Sequence, residues 1–150
     1  MPGESITHLI FFIGAIIIAV GVIGVVTTNV QSISTSYGMG SKTLADQLKT
    51  DITIINDPAI IPYISSNYCF FVKNTGKNTL DPTTVNMFVD GKFINLTNNW
   101  TIMDNPGSTQ WYATYVLRLN YTTTQFTAGT DHSVRVVAGN GVFDTMAFRT

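Results

Sequence analysis

The chain has one cysteine and two histidines among its 150 residues. A single thiol cannot form an intramolecular disulfide, and it cannot build a zinc site without other ligands. Because free cysteine prefers the protein interior, we expect Cys69 to be a small buried side chain in a strand. The scarcity of cysteine therefore excludes a disulfide-stapled fold and a cysteine-rich metal domain.

Charged side chains are scarce as well, at 11% of the chain against about 25% in an ordinary globular domain. The net charge of −1 excludes the basic field that nucleic-acid binding requires. Threonine, asparagine and serine take the place of the charges, and β-branched threonine suits an exposed sheet. The composition thus favours a β-rich domain with a neutral polar surface.

The sequence contains no catalytic or metal-binding pattern. Asp131 and His132 are adjacent, but no other His or Cys accompanies them, so we expect both to be solvated turn residues. There is no glycine-rich phosphate loop, nucleophile elbow or paired-acid motif. The sequence therefore predicts a protein that is not an enzyme, with no cofactor, no metal and no small-molecule substrate.

The one long hydrophobic run is Leu9–Val26, 18 residues without a charged or strongly polar side chain. As a helix it would be about 27 Å long, close to the ~30 Å hydrocarbon thickness of a bilayer. Lys42 is the first basic residue, so the run lacks the basic segment that precedes a cleavable signal. We therefore expect a retained transmembrane helix.

Small residues recur at helical spacings within this run, which predicts a groove for packing against other membrane helices. Glycine and alanine are also simply common in transmembrane helices, so self-association stays open between the two interpretations. The candidate packing residues are Gly14, Ala15, Ala19, Gly21 and Gly24.

Two features bear on which side of the membrane the rest of the chain occupies, and they disagree. Lys42 and Lys49 weakly favour a cytoplasmic location, but both lie at or beyond the reach of the positive-inside rule. The Thr- and Asn-rich composition and three N-x-Thr sequons favour the outside, which is the location we expect. The candidate glycosylation sites are Asn95, Asn99 and Asn120.

Apolar residues at helical spacing continue from Val30 to Leu48, which predicts a stalk beyond the membrane. Gly38 and Gly40 lie within this stalk, and each costs about 1 kcal/mol relative to Ala, so we expect a kink or short break there. From Asp51 the hydrophobic period changes to two. We therefore divide the chain into a membrane helix and stalk, residues 1–50, and a β-domain, residues 51–150.

The β-domain reads as short strands separated by turns, which predicts an all-β immunoglobulin-like sandwich. Asp90-Gly91 and Asn140-Gly141 are typical of two-residue hairpin turns of the primed type. The predicted strands are Asp51–Ile55, Tyr68–Asn74, Val85–Val89, Lys92–Leu96, Trp100–Met103, Gln110–Asn120, Ser133–Ala138 and Val142–Phe148.

Alternation along these strands predicts which side chains are buried. Trp100 and Trp111 fit two interpretations, because tryptophan is favoured both in the core of a small sandwich and at binding interfaces. The predicted core residues are Phe70, Val72, Val85, Met87, Val89, Val116, Leu119, Val134 and Val136.

A helix, a stalk and a β-sandwich in this order resemble the proteins of the archaellum, the archaeal flagellum, which are related to type IV pilins. The segments Leu44–Asn56, Phe71–Pro82 and Val89–Gly91 resemble in particular the FlaG (ArlG) stator family. The resemblance implies a non-enzymatic, membrane-anchored subunit that braces motor rotation against the cell envelope. It also implies a FlaF-like partner, contact with the surface layer or the motor, and a location in the archaeal pseudo-periplasm or at the cell surface.

A filament subunit, either an archaellin or a type IV pilin-like protein, is the alternative. Those proteins are made with a basic leader that a peptidase removes before a helix beginning with Gly or Ala. Gly3-Glu4 echoes that pattern, but no Lys or Arg precedes it. The sequence therefore favours a stator subunit over a filament subunit.

Overall fold

The computed structural model describes residues 2–150, with side chains from residue 4 onward. These residues form two compact units, one that ends at Lys42 and one that comprises Thr43–Thr150. One helix, α1, covers Pro2–Leu48, and two antiparallel sheets follow it. The predicted order of an N-terminal helix and an immunoglobulin-like β-sandwich is confirmed.

The apolar part of α1 is long and hydrophobic enough to cross a membrane. Every large apolar side chain from Leu9 to Val26 is exposed. A soluble protein does not normally leave so large a contiguous apolar surface in water. This part of α1 is therefore suited to lipid or to other membrane helices.

α1 continues without a break through Gly38 and Gly40, so the predicted short break is wrong, whereas the kink stays a prediction. Once a helix is nucleated, each further residue adds a hydrogen bond, and the glycines are flanked by helical turns on both sides. Just after the apolar run, the hydroxyl groups of Thr27 and Thr28 donate to the carbonyl oxygens of Ile23 and Gly24, at 2.8 and 2.9 Å. These bonds satisfy polar side chains close to the apolar segment.

Nine strands lie in the described part of the chain after α1, and every pairing between them is antiparallel. One sheet has the order β1-β3-β7-β6, with β2 also on β3, and the other has the order β5-β4-β8-β9. The strands are β1 (Ile52–Ile54), β2 (Tyr63–Ile64), β3 (Asn67–Asn74), β4 (Asn86–Val89), β5 (Lys92–Ile94), β6 (Trp100–Ile102), β7 (Val116–Thr122), β8 (Asp131–Val137) and β9 (Phe143–Arg149).

The core lies between the two sheets and is built from alternate residues of paired strands. Phe70 on β3 pairs with Leu119 on β7, and Met87 on β4 pairs with Val136 on β8; none of the four is exposed. Cys69 is a free, buried thiol in β3, which confirms its predicted place.

One predicted core position is wrong. Val116 is only half-buried, and Leu117 takes the core position instead. Side chains alternate between the faces of a strand, so residues 117 and 119 share a face and residue 116 lies on the other. The register of β7 on β3 decides this, because it pairs Leu117 with the buried Val72.

The chain before β7 is irregular, although Gln110–Asn120 was predicted to be one strand. Trp111 is drawn into the core, where its indole Nε1 donates to the carbonyl oxygen of Tyr115 at 2.8 Å. Thr114 has a positive φ of 73°, which no strand residue adopts. Because Trp111 is buried in the core, the strand begins only at Val116.

The turns agree with prediction at one site and differ at two. Asp90 and Gly91 have φ values of 51° and 75°, which confirms the primed turn between β4 and β5. Of Asn140 and Gly141, only Gly141 has a positive φ, so the predicted primed turn there is wrong. The hairpin of β2 and β3 was missed, because Ser65 and Ser66 adopt positive φ without the usual Asn or Gly.

Candidate functional site

The predicted packing residues of the membrane helix do not form a single groove. At about 100° per residue, Gly14, Gly21 and Gly24 lie within about 80° of one another, whereas Ala15 and Ala19 lie about 100° or more from Gly14 on another side. A Cβ added to any of the three glycines would meet no atom within 4 Å. The helix thus has two small-residue faces, and the glycine face stays a candidate packing surface.

The two tryptophans occupy different environments. Trp111 has none of its surface exposed, so it is a core residue and no longer a candidate interface residue. Trp100 is half-buried at the start of β6, an edge strand, where it pairs with the buried Leu119 and packs against the core. Only Trp100 has surface left to contact a partner.

The last turn of α1 is fastened to loops of the sandwich by side chains that the sequence pattern did not single out. Thr50, only 5% exposed, donates its hydroxyl to the carbonyl oxygen of Asp46 at 2.8 Å. The same hydroxyl accepts from Asn78 Nδ2 at 3.2 Å and from Asn140 Nδ2 at 2.7 Å. Gln47 Nε2 donates to the Asn140 carbonyl oxygen at 2.9 Å. We call Gln47, Thr50, Gly76, Asn78 and Asn140 the joint.

Gly76 lets two backbone segments approach closely at the joint. A Cβ at this position would lie 2.5 Å from the backbone nitrogen of Asp51 and 2.7 Å from the carbonyl oxygen of Lys49. Instead the Gly76 N–H donates to the Asp51 carbonyl oxygen, and the Lys77 N–H donates to that of Lys49, at 2.9 and 2.8 Å. The joint therefore combines backbone bonds with side-chain bonds.

His132 links several segments at the other end of β8. Its Nδ1 lies 2.7 Å from Asp90 Oδ2, and its Nε2 lies 2.7 Å from Thr130 Oγ1. The imidazole stacks on the ring of Phe126 with centroids 4.1 Å apart, and it is 14% exposed. The expectation of a solvated turn residue is therefore wrong for His132.

The Asp90 carboxylate has a lowered pKa. Partial burial acts to raise this pKa, but the hydrogen bond from His132, the N–H of Ser133 at 2.8 Å and the charge of His132 together outweigh burial. Asp131, by contrast, is 83% exposed and lies 3.7 Å from Arg149. Adjacent strand residues point to opposite faces, so Asp131 and His132 cannot hold one ion together.

The outer face of the second sheet carries aromatic side chains around a shallow cavity of about 410 Å³. Phe88 and Phe93 meet edge to face with ring centroids 5.7 Å apart, and the Arg135 guanidinium lies 4.9 Å above the ring of Phe143. Phe93 and Phe143 are both more than half exposed. In the described residues no group of three His, Cys, Asp or Glu side chains could hold a metal ion.

The arrangement of these residues supports attachment and assembly. The sequence profile of archaeal-type flagellins matches residues 3–148, almost the whole chain. The chain belongs to the archaeal-type flagellin family. The predicted resemblance to archaellum proteins is thereby confirmed.

The putative flagella-related protein G of Methanocaldococcus jannaschii is similar in sequence to this chain. It is 34% identical to this chain over 116 residues, and the match covers 72% of each protein. This identity shows that the two archaeal-type flagellin-family sequences are homologous along most of their length.

One solved structure shows the same fold as this chain, and two others resemble it more weakly. The archaeal flagellum of Methanospirillum hungatei strain JF1 is 16% identical and superposes with a TM-score of 0.58, covering 89% of this chain and 85% of that one. The archaellum periplasmic stator protein FlaG of Sulfolobus acidocaldarius is 18% identical with a TM-score of 0.47, covering 66% and 99%. The same organism's complex of FlaF and FlaG gives 15% identity and a TM-score of 0.47, covering 65% and 87%.

Substitution of Thr50 by valine is expected to destabilise the sandwich unit by about 1–3 kcal/mol, because it removes a hydroxyl with three hydrogen bonds and leaves Asn140 Nδ2 without a partner. Thr53→Val is the matched control, since that exposed hydroxyl has one contact at 3.4 Å, and it should change stability by less than about 0.5 kcal/mol. Urea unfolding of the detergent-solubilised chain, followed by tryptophan fluorescence, measures both. Equal effects of the two variants would contradict the role of the joint.

Substitution of Asp90 by asparagine is expected to lower the melting temperature at pH 7. Asparagine tolerates the positive φ of the turn, so the change acts on the charge. Because the pKa of folded Asp90 is below its ordinary 3.8, its stabilisation is present above pH 3.8 and is lost as pH falls through the folded value. The difference between wild type and variant should therefore shrink below pH 3.8, whereas Asp131→Asn should have little effect at either pH. A difference that stays constant with pH would argue against this linkage.

Proposed function

We propose that this chain is a non-enzymatic, membrane-anchored stator subunit of the archaellum motor. Its helix holds it in the membrane, its sandwich lies outside the cytoplasm, and it braces rotation against the cell envelope. A FlaF-like protein is its partner, and it contacts the surface layer or the motor. The single observation that carries the proposal is its 34% identity with the flagella-related protein G, over 72% of both proteins.

The geometry of the joint supports a mechanical role. A stator subunit has to transmit force between its membrane anchor and its extracellular domain, so the last turn of the anchor helix must not pivot freely. Thr50, Asn78 and Asn140 fasten that turn to two loops of the sandwich, and Gly76 lets the backbones meet. Such a network holds the last turn of the helix more firmly than a flexible linker would.

The polar surface of the sandwich supports the location outside the cytoplasm and the absence of enzymatic activity. Its exposed side chains are largely neutral. The sequons of Asn95, Asn99 and Asn120 can be glycosylated only on the side of the membrane where a glycosylation system reaches them. Histidine is a common catalytic residue, but both ring nitrogens of His132 are bound to side chains of this chain. The stator role needs none of these groups to act on a substrate.

Deletion of the gene is expected to abolish swimming while filaments are still made, because the motor would have no fixed part against which to turn. Swimming speed by light microscopy and filament number by electron microscopy measure the two effects. Complementation with wild type and with Thr53→Val should restore swimming, and Thr50→Val should restore it less well. Normal swimming of the deletion strain would refute the stator role.

A filament subunit is the second candidate, because the archaeal-type flagellin profile covers residues 3–148. The two candidates differ at the N-terminus of the native protein. A stator subunit should retain the segment before the apolar run, and a processed filament subunit should have lost part of it to a peptidase. Mass spectrometry of N-terminal peptides from native membranes and from sheared filaments separates them, and a processed N-terminus found in filaments would establish the filament role.

A further inference from the structure

The three sequons of the chain lie in different backbone environments, and only one has the geometry of an acceptor. Asn95-Leu96-Thr97 lies in the loop of residues 95–99, between the end of β5 and the start of β6. Asn95 and Thr97 are both exposed, whereas the intervening Leu96 is buried at 7% exposure. Leu96 therefore anchors the loop and leaves the two sequon side chains in solvent.

The side chains of Asn95 and Thr97 are joined in a compact turn. Asn95 Oδ1 accepts a hydrogen bond from the Thr97 backbone N–H at 2.9 Å and another from the Thr97 hydroxyl at 2.6 Å. Both bonds use the amide oxygen, so the Asn95 amide nitrogen, Nδ2, makes no hydrogen bond with any residue that the structure describes. We propose that Asn95 is the N-glycosylated residue of this chain and that Asn99 and Asn120 are not modified.

Asn99 is held by the edge of the first sheet. Its carbonyl oxygen accepts from the Asn120 N–H at 2.8 Å, and Thr101 of its sequon lies within β6, opposite Arg118. In the part of the chain that the structure describes, the Thr101 hydroxyl makes no hydrogen bond with the Asn99 amide, unlike the Thr97 hydroxyl with the Asn95 amide. A transferase would have to detach β6, including the half-buried Trp100, before it could bind this sequon.

Asn120 is still less accessible, because β7 lies between β3 and β6. Its sequon threonine, Thr122, donates its hydroxyl to Asn67 Oδ1 at 2.6 Å rather than to Asn120. Asn120 Oδ1 instead accepts from the Cys69 thiol at 3.6 Å. Both side chains of this sequon are therefore used to hold β7 against β3.

The modification replaces a C–O bond of the sugar donor by an N–C bond to Asn95 and moves one proton. The Asn95 Nδ2 attacks the anomeric carbon of a lipid-linked oligosaccharide, the new N–C bond forms, and the C–O bond to the lipid phosphate breaks. The lipid phosphate leaves with the bonding electron pair, and Nδ2 loses one proton to a base of the transferase. No oxidant or reductant is involved.

A glycan at Asn95 would lie beside an edge strand of each sheet, β5 and β6. The loop of residues 95–99 connects β5 and β6, and each of these strands is at an edge of its sheet. Unpaired edge strands are the places where sheets of different molecules associate by strand pairing. A bulky hydrophilic group between the two edges would block such association and leave the other faces free for assembly.

The inference rests on the proposed function only in requiring the sandwich to lie outside the cytoplasm. The experiment is glycopeptide and intact-mass spectrometry of the full chain purified from its native cells. Wild type is compared with Thr97→Ala, Thr97→Ser and the matched controls Thr101→Ala and Thr122→Ala. We expect one glycan on Asn95 in wild type, its loss in Thr97→Ala, and its retention in Thr97→Ser and both controls.

A wild-type chain without a glycan on Asn95, or a glycan mass that persists in Thr97→Ala, would overturn the inference. Tryptophan fluorescence of Thr97→Ala checks that the variant is folded, since both tryptophans lie in the sandwich. Protease treatment of cells whose surface layer has been removed but whose membrane is intact reports the location of the sandwich independently. A protected sandwich overturns both this inference and the proposed location, whereas an accessible but unmodified sandwich overturns this inference alone.

Discussion

The C-terminal end of a helix leaves carbonyl groups that no residue of the helix can satisfy, and the structure of this protein depends on where their hydrogen bonds come from. The carbonyl oxygen of Asp46 accepts from Thr50 and Asn78, and that of Lys49 accepts from the Lys77 N–H. The donors come largely from the loop after β3. The last turn of α1, which belongs to the same compact unit as the strands, is thus capped by loops of the sandwich.

The two parts of the chain are made for different surroundings. The apolar side chains of the membrane helix face outward along Leu9–Val26, whereas those of the sandwich face inward between two sheets. The same residue types are therefore exposed along the membrane helix and mostly buried in the sandwich, so the helix offers a continuous apolar surface to lipid or to other helices. The joint lies within the second unit, and its side chains are neutral and polar.

Periodicity was enough to predict the helix, the sandwich and most of its strands, because burial of one face imposes a period that the sequence must show. Periodicity could not place Val116 and Leu117, since the face of β7 that is buried depends on its register with β3. It also could not find the joint. Gln47, Asn78 and Asn140 are ordinary polar residues in helix and loop, and only the folded chain brings them within hydrogen-bond distance across up to 93 residues of sequence.

The prediction for His132 was wrong for a related reason. Its neighbour Asp131 is adjacent in sequence but faces the other way, whereas its actual partner Asp90 belongs to the turn between β4 and β5. The turn itself was predictable from Asp90-Gly91, because both residues tolerate positive φ. The pairing of β4 with β8, which brings the turn to His132, is long-range information that no local pattern contains.

The joint is built from groups that do not titrate. Its side chains carry no charge, so neither ionic strength nor pH changes their hydrogen bonds directly. The Asp90–His132 contact does depend on ionisation, but it lies at the start of β8, and the joint contacts the loop that follows the end of β8. Acid would therefore weaken the contacts at the start of β8 while the hydrogen bonds of the joint persist.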